Sequence, residues 1–274
     1  MTIGIPDVLT SDNAGKYVMS IRLEPDGLSF SGFDPSVGGS FFYREAEFDR
    51  TLPYVVSLKE FFFAHDFLTW SYKRTHVICV TPMYTIVPET YFEGDRKKQL
   101  LDFCFCKEGD FCLSDSLKDD KAELVFDLEK DVYEFCSRSL LNPLFTHPMR
   151  FLLSLWRKQS LGTPARRLYV VMERKQMNVA CYKQGALLFV NSFRIDQPED
   201  AIYYILYVWK RLGLDQQVDQ LCLQGESSMQ ISVSNTLRLY LRQVLPMEIP
   251  SEAYLCGSDV ARSPLDIISW LVCE

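Results

Sequence analysis

The sequence predicts a mixed α/β chain in which one β-β-β-α-β order occurs twice. Three observations carry that reading. Short apolar or alternating runs are separated by turn residues, as at Glu24-Pro25-Asp26-Gly27 and Lys183-Gln184-Gly185, where Pro presets φ and Gly accepts φ > 0. A stretch with three- and four-residue apolar spacing follows each group of strand-like runs. The order of the first half then returns in the second, offset by roughly 145–150 residues.

Taken in order, Tyr17–Leu23 is an apolar, β-rich run, and Leu28–Phe33 alternates behind the Pro-Asp-Gly turn. A third run, Ser40–Phe48, follows the turn stretch 34–39. Val55, Leu58, Phe61, Phe62 and His65 mark a helix, and His76–Val80 the next strand. An extended run at 84–92, a helix around 96–103, a strand at 122–128, a helix at 129–140 and an apolar helix at 149–156 complete the first half. In the second half the strands are 168–172, 177–182 and 186–193. The helix at 197–212 has Asp196 and Glu199 three apart in the manner of a capping box, with Pro198 in its first turn and Gly213 after its end. Tyr203, Tyr204 and Tyr207 widen its apolar stripe, so it is expected to be covered on two sides. Gln220–Gln224 is the next strand, followed by a helix at 234–244, a strand at 247–249 and a short helix at 264–272. The stretch Leu161-Gly162-Thr163-Pro164 divides the chain into 1–162, with an insertion around 84–145, and 163–274.

Charge and cysteine usage bound the function. The 29 Lys+Arg against 36 Asp+Glu leave a net charge of −7, which opposes binding to nucleic acid. No charge-free apolar run approaches the roughly 18 residues of a membrane span, and Met1–Thr10 lacks the basic start of a secretory signal. The nine cysteines sit in apolar runs such as Ile78-Cys79-Val80, as buried small hydrophobes of a reducing cytoplasm. Cys104 and Cys106 form a C-x-C near Cys112, but no second ligand pair accompanies them, so no metal is expected. Phe41-Phe42-Tyr43 and Phe61-Phe62-Phe63 cannot all point inward from one face, so some are expected to line the cleft between the two domains or an interface with a partner, the alternative being that packing of the two domains buries them.

Three antiparallel strands, a helix and a parallel strand used twice resemble the actin-like ATPase fold, two ribonuclease-H-like domains with a cleft between them. The strings Thr85-Ile86-Val87-Pro88-Glu89-Thr90-Tyr91-Phe92, Glu199-Asp200-Ala201-Ile202-Tyr203-Tyr204 and Leu221-Cys222-Leu223-Gln224-Gly225 are similar to an uncharacterised bacterial family of that fold with no established activity. A more distant resemblance is to the actin-like assembly proteins of type IV pili and type II secretion, which act partly as scaffolds. The role of the Val87-Pro88-Glu89 turn is left open.

The resemblance implies phosphate-holding turns between the first and second strands of each domain, with Asp, Gly and small hydroxyl residues. Gly lets backbone N–H groups reach phosphate oxygens, and Asp orients a hydrated magnesium ion. The first turn offers Asp26 and Gly27, but Pro25 removes a donor and Leu28 is large. The second offers only Arg174 and Lys175, with no Gly, Asp or hydroxyl. Gly225, Glu226 and Ser227 stand where a Gly-rich turn would pack on the adenine and ribose. The strand-1 acid of a two-metal nuclease is missing. His147, before an apolar helix, and His65, among Phe61–Phe63, are expected to be structural, and no catalytic residue is assigned.

The expected function is therefore a cytoplasmic, catalytically degenerate binding or scaffold module (a pseudo-ATPase) with a protein partner. The alternative is an actin-like ATPase with unusual loops, using ATP and Mg at Asp26-Gly27 and Gly225-Glu226. Enzyme status leans to no, with ATPase the activity if there is one, and the oligomeric state is left open.

Overall fold

The computed structural model describes residues 4–105 and 111–273. In chain order the strands and helices are β1 (Val18–Glu24), β2 (Gly27–Phe33), β3 (Phe42–Glu47), α1 (Tyr54–Ala64), β4 (Arg74–Cys79), β5 (Tyr84–Pro88), α2 (Lys97–Phe105), β6 (Phe111–Leu117), β7 (Ala122–Leu128), α3 (Lys130–Ser139), β8 (Leu144–Thr146) and α4 (Pro148–Ser160). Then come β9 (Arg167–Glu173), β10 (Gln176–Lys183), β11 (Ala186–Arg194), α5 (Pro198–Arg211), β12 (Gln220–Gly225), α6 (Ser227–Leu237), β13 (Val244–Pro246) and α7 (Leu265–Cys273). Two mixed sheets have the same order, β3-β2-β1-β4-β8 and β11-β10-β9-β12-β13. The repeat expected from the sequence is thus present, with one further parallel strand in each copy.

The chain forms two compact units, one of residues up to Leu152 together with those from Pro250 onward, the other Leu153–Ile249. A boundary at 162/163 that leaves everything after it in the second domain does not describe the tail. The reason is packing. Seven successive residues of α7, Leu265–Leu271, are buried in the first unit, and a helix apolar on all sides requires cover on all sides. Trp270 sits edge-on to Phe33 at 5.4 Å and to His76 at 6.0 Å.

In the first unit β1 and β2 are joined by the two-residue turn Pro25-Asp26 and register Glu24 against Gly27. Alternation sends Met19, Ile21 and Leu23 to one face of the sheet and Ser20, Arg22 and Glu24 to the other. The second set is polar, yet Ser20 and Arg22 are buried and Glu24 is partly so. The Ser20 and Ser31 hydroxyls bond at 2.6 Å, while Arg22, 1% exposed, donates from Nε to Asp266 of α7 at 2.7 Å. Arg22 also pairs with Glu24 at 2.8 Å, and Ser29 donates to the same Glu24 oxygen at 3.0 Å.

The tail also covers β3. Phe41 N–H donates to the Cys256 carbonyl (2.9 Å), and Tyr43 N–H to the Asp259 carboxylate (3.1 Å). Arg44 and Arg262 share that carboxylate at 2.7 and 3.0 Å. Phe41, Phe42 and Tyr43 are consequently all buried, against the expectation that they cannot all face inward. The tail supplies the second face. In α1 the expectation describes the outcome, with Phe62 buried and Phe63 85% exposed.

The insertion between β4 and β8 is a third sheet, β5-β7-β6, over a small core of Val87, Leu101, Cys112 and Val125. Val87-Pro88-Glu89 ends β5, where Glu89 N–H donates to the Lys121 carbonyl at 2.9 Å. Asp115 of β6 accepts from Thr146 Oγ1 at 2.6 Å and pairs with Arg150, fastening the insertion to β8 and α4. The strands β6 and β8 were not expected from the sequence. β6 carries three consecutive polar residues, Ser114-Asp115-Ser116, which break the alternation of a strand, and β8 is only three residues long.

In the second unit one sheet face sends Leu168, Val170, Met172, Met177, Val179, Leu221 and Leu223 into a core closed by α5 and α6. The other carries Tyr169, which stacks on Trp156 of α4 at 5.4 Å. Two expected elements lie elsewhere. The helix expected at 234–244 is α6 at Ser227–Leu237, and the strand expected at 247–249 is Val244–Pro246. The α5 cap is one residue later than the Asp196/Glu199 pair. Gln197 is the cap, and the Asp200 carboxylate accepts from the N–H groups of Asp196 (2.9 Å) and Gln197 (3.0 Å), which holds its pKa low. Nor is α5 covered on two sides in the second unit, since Tyr203 and Tyr207 are 63% and 45% exposed.

Removing one partner of a buried ion pair strands the other. Asp266→Ala is expected to cost about 3–5 kcal/mol in urea unfolding, and Arg22→Met with Asp266→Leu to recover most of it. Equal losses in the single and double variants would contradict the assignment.

Candidate functional site

Each candidate residue can be followed from its turn outward. Asp26 pairs with Arg50 at 3.0 Å, and its carbonyl accepts from Phe48 N–H at 3.0 Å. Gly27 is buried against β3. A Cβ there would lie 2.1 Å from the Ala46 carbonyl oxygen, and the Gly27 carbonyl accepts from the Tyr54 hydroxyl at 3.0 Å. The glycine is therefore explained by the close approach of two backbones. Pro25 brings no N–H to the same turn.

In the second unit Arg174 takes a left-handed φ of 54°, an uncommon state for a residue with a side chain. Lys175 extends to Asp196 at 3.4 Å, and its carbonyl accepts from Ile195 N–H at 3.0 Å. Gly225 registers with Met172 across the β12–β9 pair, so the Arg174-Lys175 turn and the start of α6 share one end of this sheet. A Cβ on Gly225 would stand 3.1 Å from Met172 atoms. Glu226 is the cap residue of α6 and Ser227 its first residue, both exposed, and no side chain caps the helix. The Glu226 carboxylate puts a negative charge at the helix end that would otherwise favour an anion.

Asp26 and Gly27 belong to one unit; Arg174, Lys175, Gly225, Glu226 and Ser227 belong to the other. Sequence reasoning missed Arg22 and Asp266. The available signal was a lone cation inside an apolar strand and a lone acid inside an apolar helix.

The remaining chemistry-bearing residues are structural in their contacts. His147 is fully buried. Its Nε2 bonds the Thr81 carbonyl at 3.0 Å, and its Nδ1 accepts from Met149 N–H at 3.2 Å, at the start of α4. Tyr84 lies against the imidazole at 4.4 Å, and burial pushes the pKa of His147 down to about 4. His65 Nδ1 bonds the Phe61 carbonyl at 2.8 Å, with its ring stacked on Phe61. Cys79, Cys112, Cys136, Cys181 and Cys222 are free and buried, and burial raises the thiols of Cys136 and Cys181 to about 12. Cys104 is exposed rather than buried, and Cys106 lies outside the described residues. Among the described residues no group of three or more His, Cys, Asp or Glu is placed to hold a metal, and no helix is long and apolar enough to cross a membrane.

The chain matches the family described as protein of unknown function (DUF3822) over residues 6–244, and it belongs to that family. No curated protein matches it. A crystal structure from Bacteroides thetaiotaomicron, described as a protein with actin-like ATPase fold and unknown function, is 28% identical with a TM-score of 0.84. That alignment covers 99% of this chain and 100% of the other. The chain therefore has the actin-like ATPase fold. Lower similarity is found to the PilM–PilN type IV pilus biogenesis complex (12% identity, TM-score 0.49, covering 93% of this chain and 94% of that one). The ethanolamine utilization protein EutJ from Carboxydothermus hydrogenoformans is 10% identical with a TM-score of 0.45, over 92% and 89% of the two chains.

Two outcomes check these assignments. Gly27→Ala is expected to lower stability by about 1–3 kcal/mol in urea unfolding, whereas Gly38→Ala, where a Cβ meets nothing nearer than 3.9 Å, leaves it unchanged. A fully stable Gly27→Ala protein would return the glycine to a ligand role. For His147, the unfolded ring gains a proton near pH 6.5 and the folded ring only near pH 4, so stability falls as pH drops through that window, by on the order of 3 kcal/mol. His147→Asn should remove most of this slope in unfolding between pH 7 and 4.5. An unchanged slope would show that other groups cause it.

Proposed function

We propose that this DUF3822 protein is a binding module on an actin-like frame that does not turn over nucleotide, working with a protein partner in a reducing compartment. The observation that carries the reading is the state of the β1–β2 turn. Its glycine is used against β3, its aspartate is engaged with Arg50, and Pro25 offers no donor. A triphosphate needs several free N–H groups converging on its oxygens and an acid free to orient magnesium. The residues at this turn do not fit that demand. The second unit adds two cations without a glycine or hydroxyl in its turn, and it sets the Glu226 carboxylate at the start of α6.

Support for the compartment comes from the five buried free thiols, which a reducing environment leaves unpaired. Support for a partner comes from the exposed aromatic and aliphatic side chains of the second unit, among them Tyr203, Tyr207, Leu239 and Tyr240.

A ligand that binds only the folded state raises its melting temperature in proportion to RT ln(1 + [L]/Kd). Millimolar Mg-ATP is expected to leave the melting temperature unchanged. A concentration-dependent rise, abolished by Asp26→Ala, would establish the nucleotide-binding alternative.

A further inference from the structure

We infer that the outer edge of β11 is a strand-addition site for an extended, apolar–acidic peptide segment of another protein; this rests on the partner-binding reading above and names the partner's chemistry. β3 and β11 are the terminal strands of their sheets at equivalent positions. The edge of β3 is occupied by the protein's own tail, through Phe41 N–H to Cys256, Tyr43 N–H to Asp259, and Arg262 to the Tyr43 carbonyl. Among the described residues, no other backbone segment bonds the outer side of β11.

β11 is also longer, nine residues against six, and its sequence Ala-Leu-Leu-Phe-Val-Asn-Ser-Phe-Arg has no Pro or Lys to deter pairing. The N–H of Ser192 takes its neighbour's Asn191 Oδ1 at 2.9 Å, which places it on the outer side. Alternation puts the backbone groups of Val190 and Arg194 there too.

Beside this edge runs an aromatic row. Phe193 stacks on Tyr204 of α5 at 4.5 Å, Tyr204 meets Tyr203 at 5.2 Å, and Tyr203 meets Tyr207 at 6.2 Å. An added strand gains main-chain hydrogen bonds from β11 and rests alternate side chains on the row. The charge selects the occupant. α5 returns the chain to the end of the sheet where β11 begins, so Lys210 and Arg211 stand at the same end as Lys183. None of the three has a carboxylate partner among the described residues, although Arg211 lies over Tyr207. In antiparallel self-pairing about Val190, Arg194 of one copy would approach the Lys183 end of the other. Arg194 is held by Asp196 at 3.6 Å, but Lys183, Lys210 and Arg211 have no carboxylate partner among the described residues, and an acidic partner supplies one where a second copy would bring a further cation.

The test uses the full chain and a fluorescent ten-residue peptide of alternating valine and glutamate. Its controls are the same peptide N-methylated at alternate residues and the valine–lysine counterpart. Saturable binding is expected for the first peptide, at least tenfold weaker binding for the other two, and at least tenfold weakening by Val190→Pro. The Val190 N–H is not used in the sheet, so that variant should keep its urea midpoint. Tyr203→Ala, on the helix, provides a second variant with the same expected direction. Binding indifferent to N-methylation and to both variants, no binding at all, or a β11-mediated dimer in their place would overturn the inference. None of these outcomes changes the response to Mg-ATP, so the two readings fail separately.

Discussion

A guanidinium that is 1% exposed dictates how the first unit is built. Burying Arg22 without partners would cost several kcal/mol, and the chain supplies two carboxylates, Glu24 from the same strand and Asp266 from a helix 244 positions away. The C-terminal segment must therefore return to the first sheet, whatever the second unit does. Once there, α7 covers the polar sheet face and the segment before it closes the β3 edge. The serine pair, Ser29 and Glu24 all lie within this buried polar layer, so the end of β1 nearest the turn is already committed to internal contacts. Arg22, Glu24 and Asp266 thereby tie the first strand of the chain to its last helix.

Duplication followed by separate use describes the rest. The strand order is identical in the two sheets, yet the equivalent turns share no residue pattern. The equivalent edges differ: β3 is sealed by side chains and backbone of the tail, while among the described residues no backbone segment bonds the outer side of β11. A glycine at the start of β2 admits the close approach of the Ala46 backbone, and another at the end of β12 lies tight against Met172. Small residues in such turns report geometry before they report ligands.

Much of this was legible in the sequence, and the limits have physical causes. Alternation and turn chemistry located β1, β2, β9, β10 and β11 to within a residue or two, because local sterics decide them. The repeat emerged from the order of elements, without matching letters. The tail helix was expected, but its docking on the first unit was not, since Asp266 and Arg22 meet only through tertiary packing. The burial of Phe41 and Tyr43 followed from the same missing contact. α6 was placed late because Ser227, Ser228, Ser232 and Ser234 weaken its apolar signal. The candidate turns were correctly found as turns, but their engagement with Arg50, Ala46 and Met172 depends on neighbours that no local window contains.

The proposal that the β1–β2 turn does not grip a triphosphate rests on the Asp26–Arg50 pair and on the close approach of Gly27 to β3. Its most direct test is a crystal structure grown with magnesium and a nonhydrolysable ATP analogue. The account predicts unchanged Asp26–Arg50 and Arg22–Asp266 contacts and no nucleotide density beside Gly27 or Lys175. Ordered triphosphate density held by the backbone at either turn would contradict it.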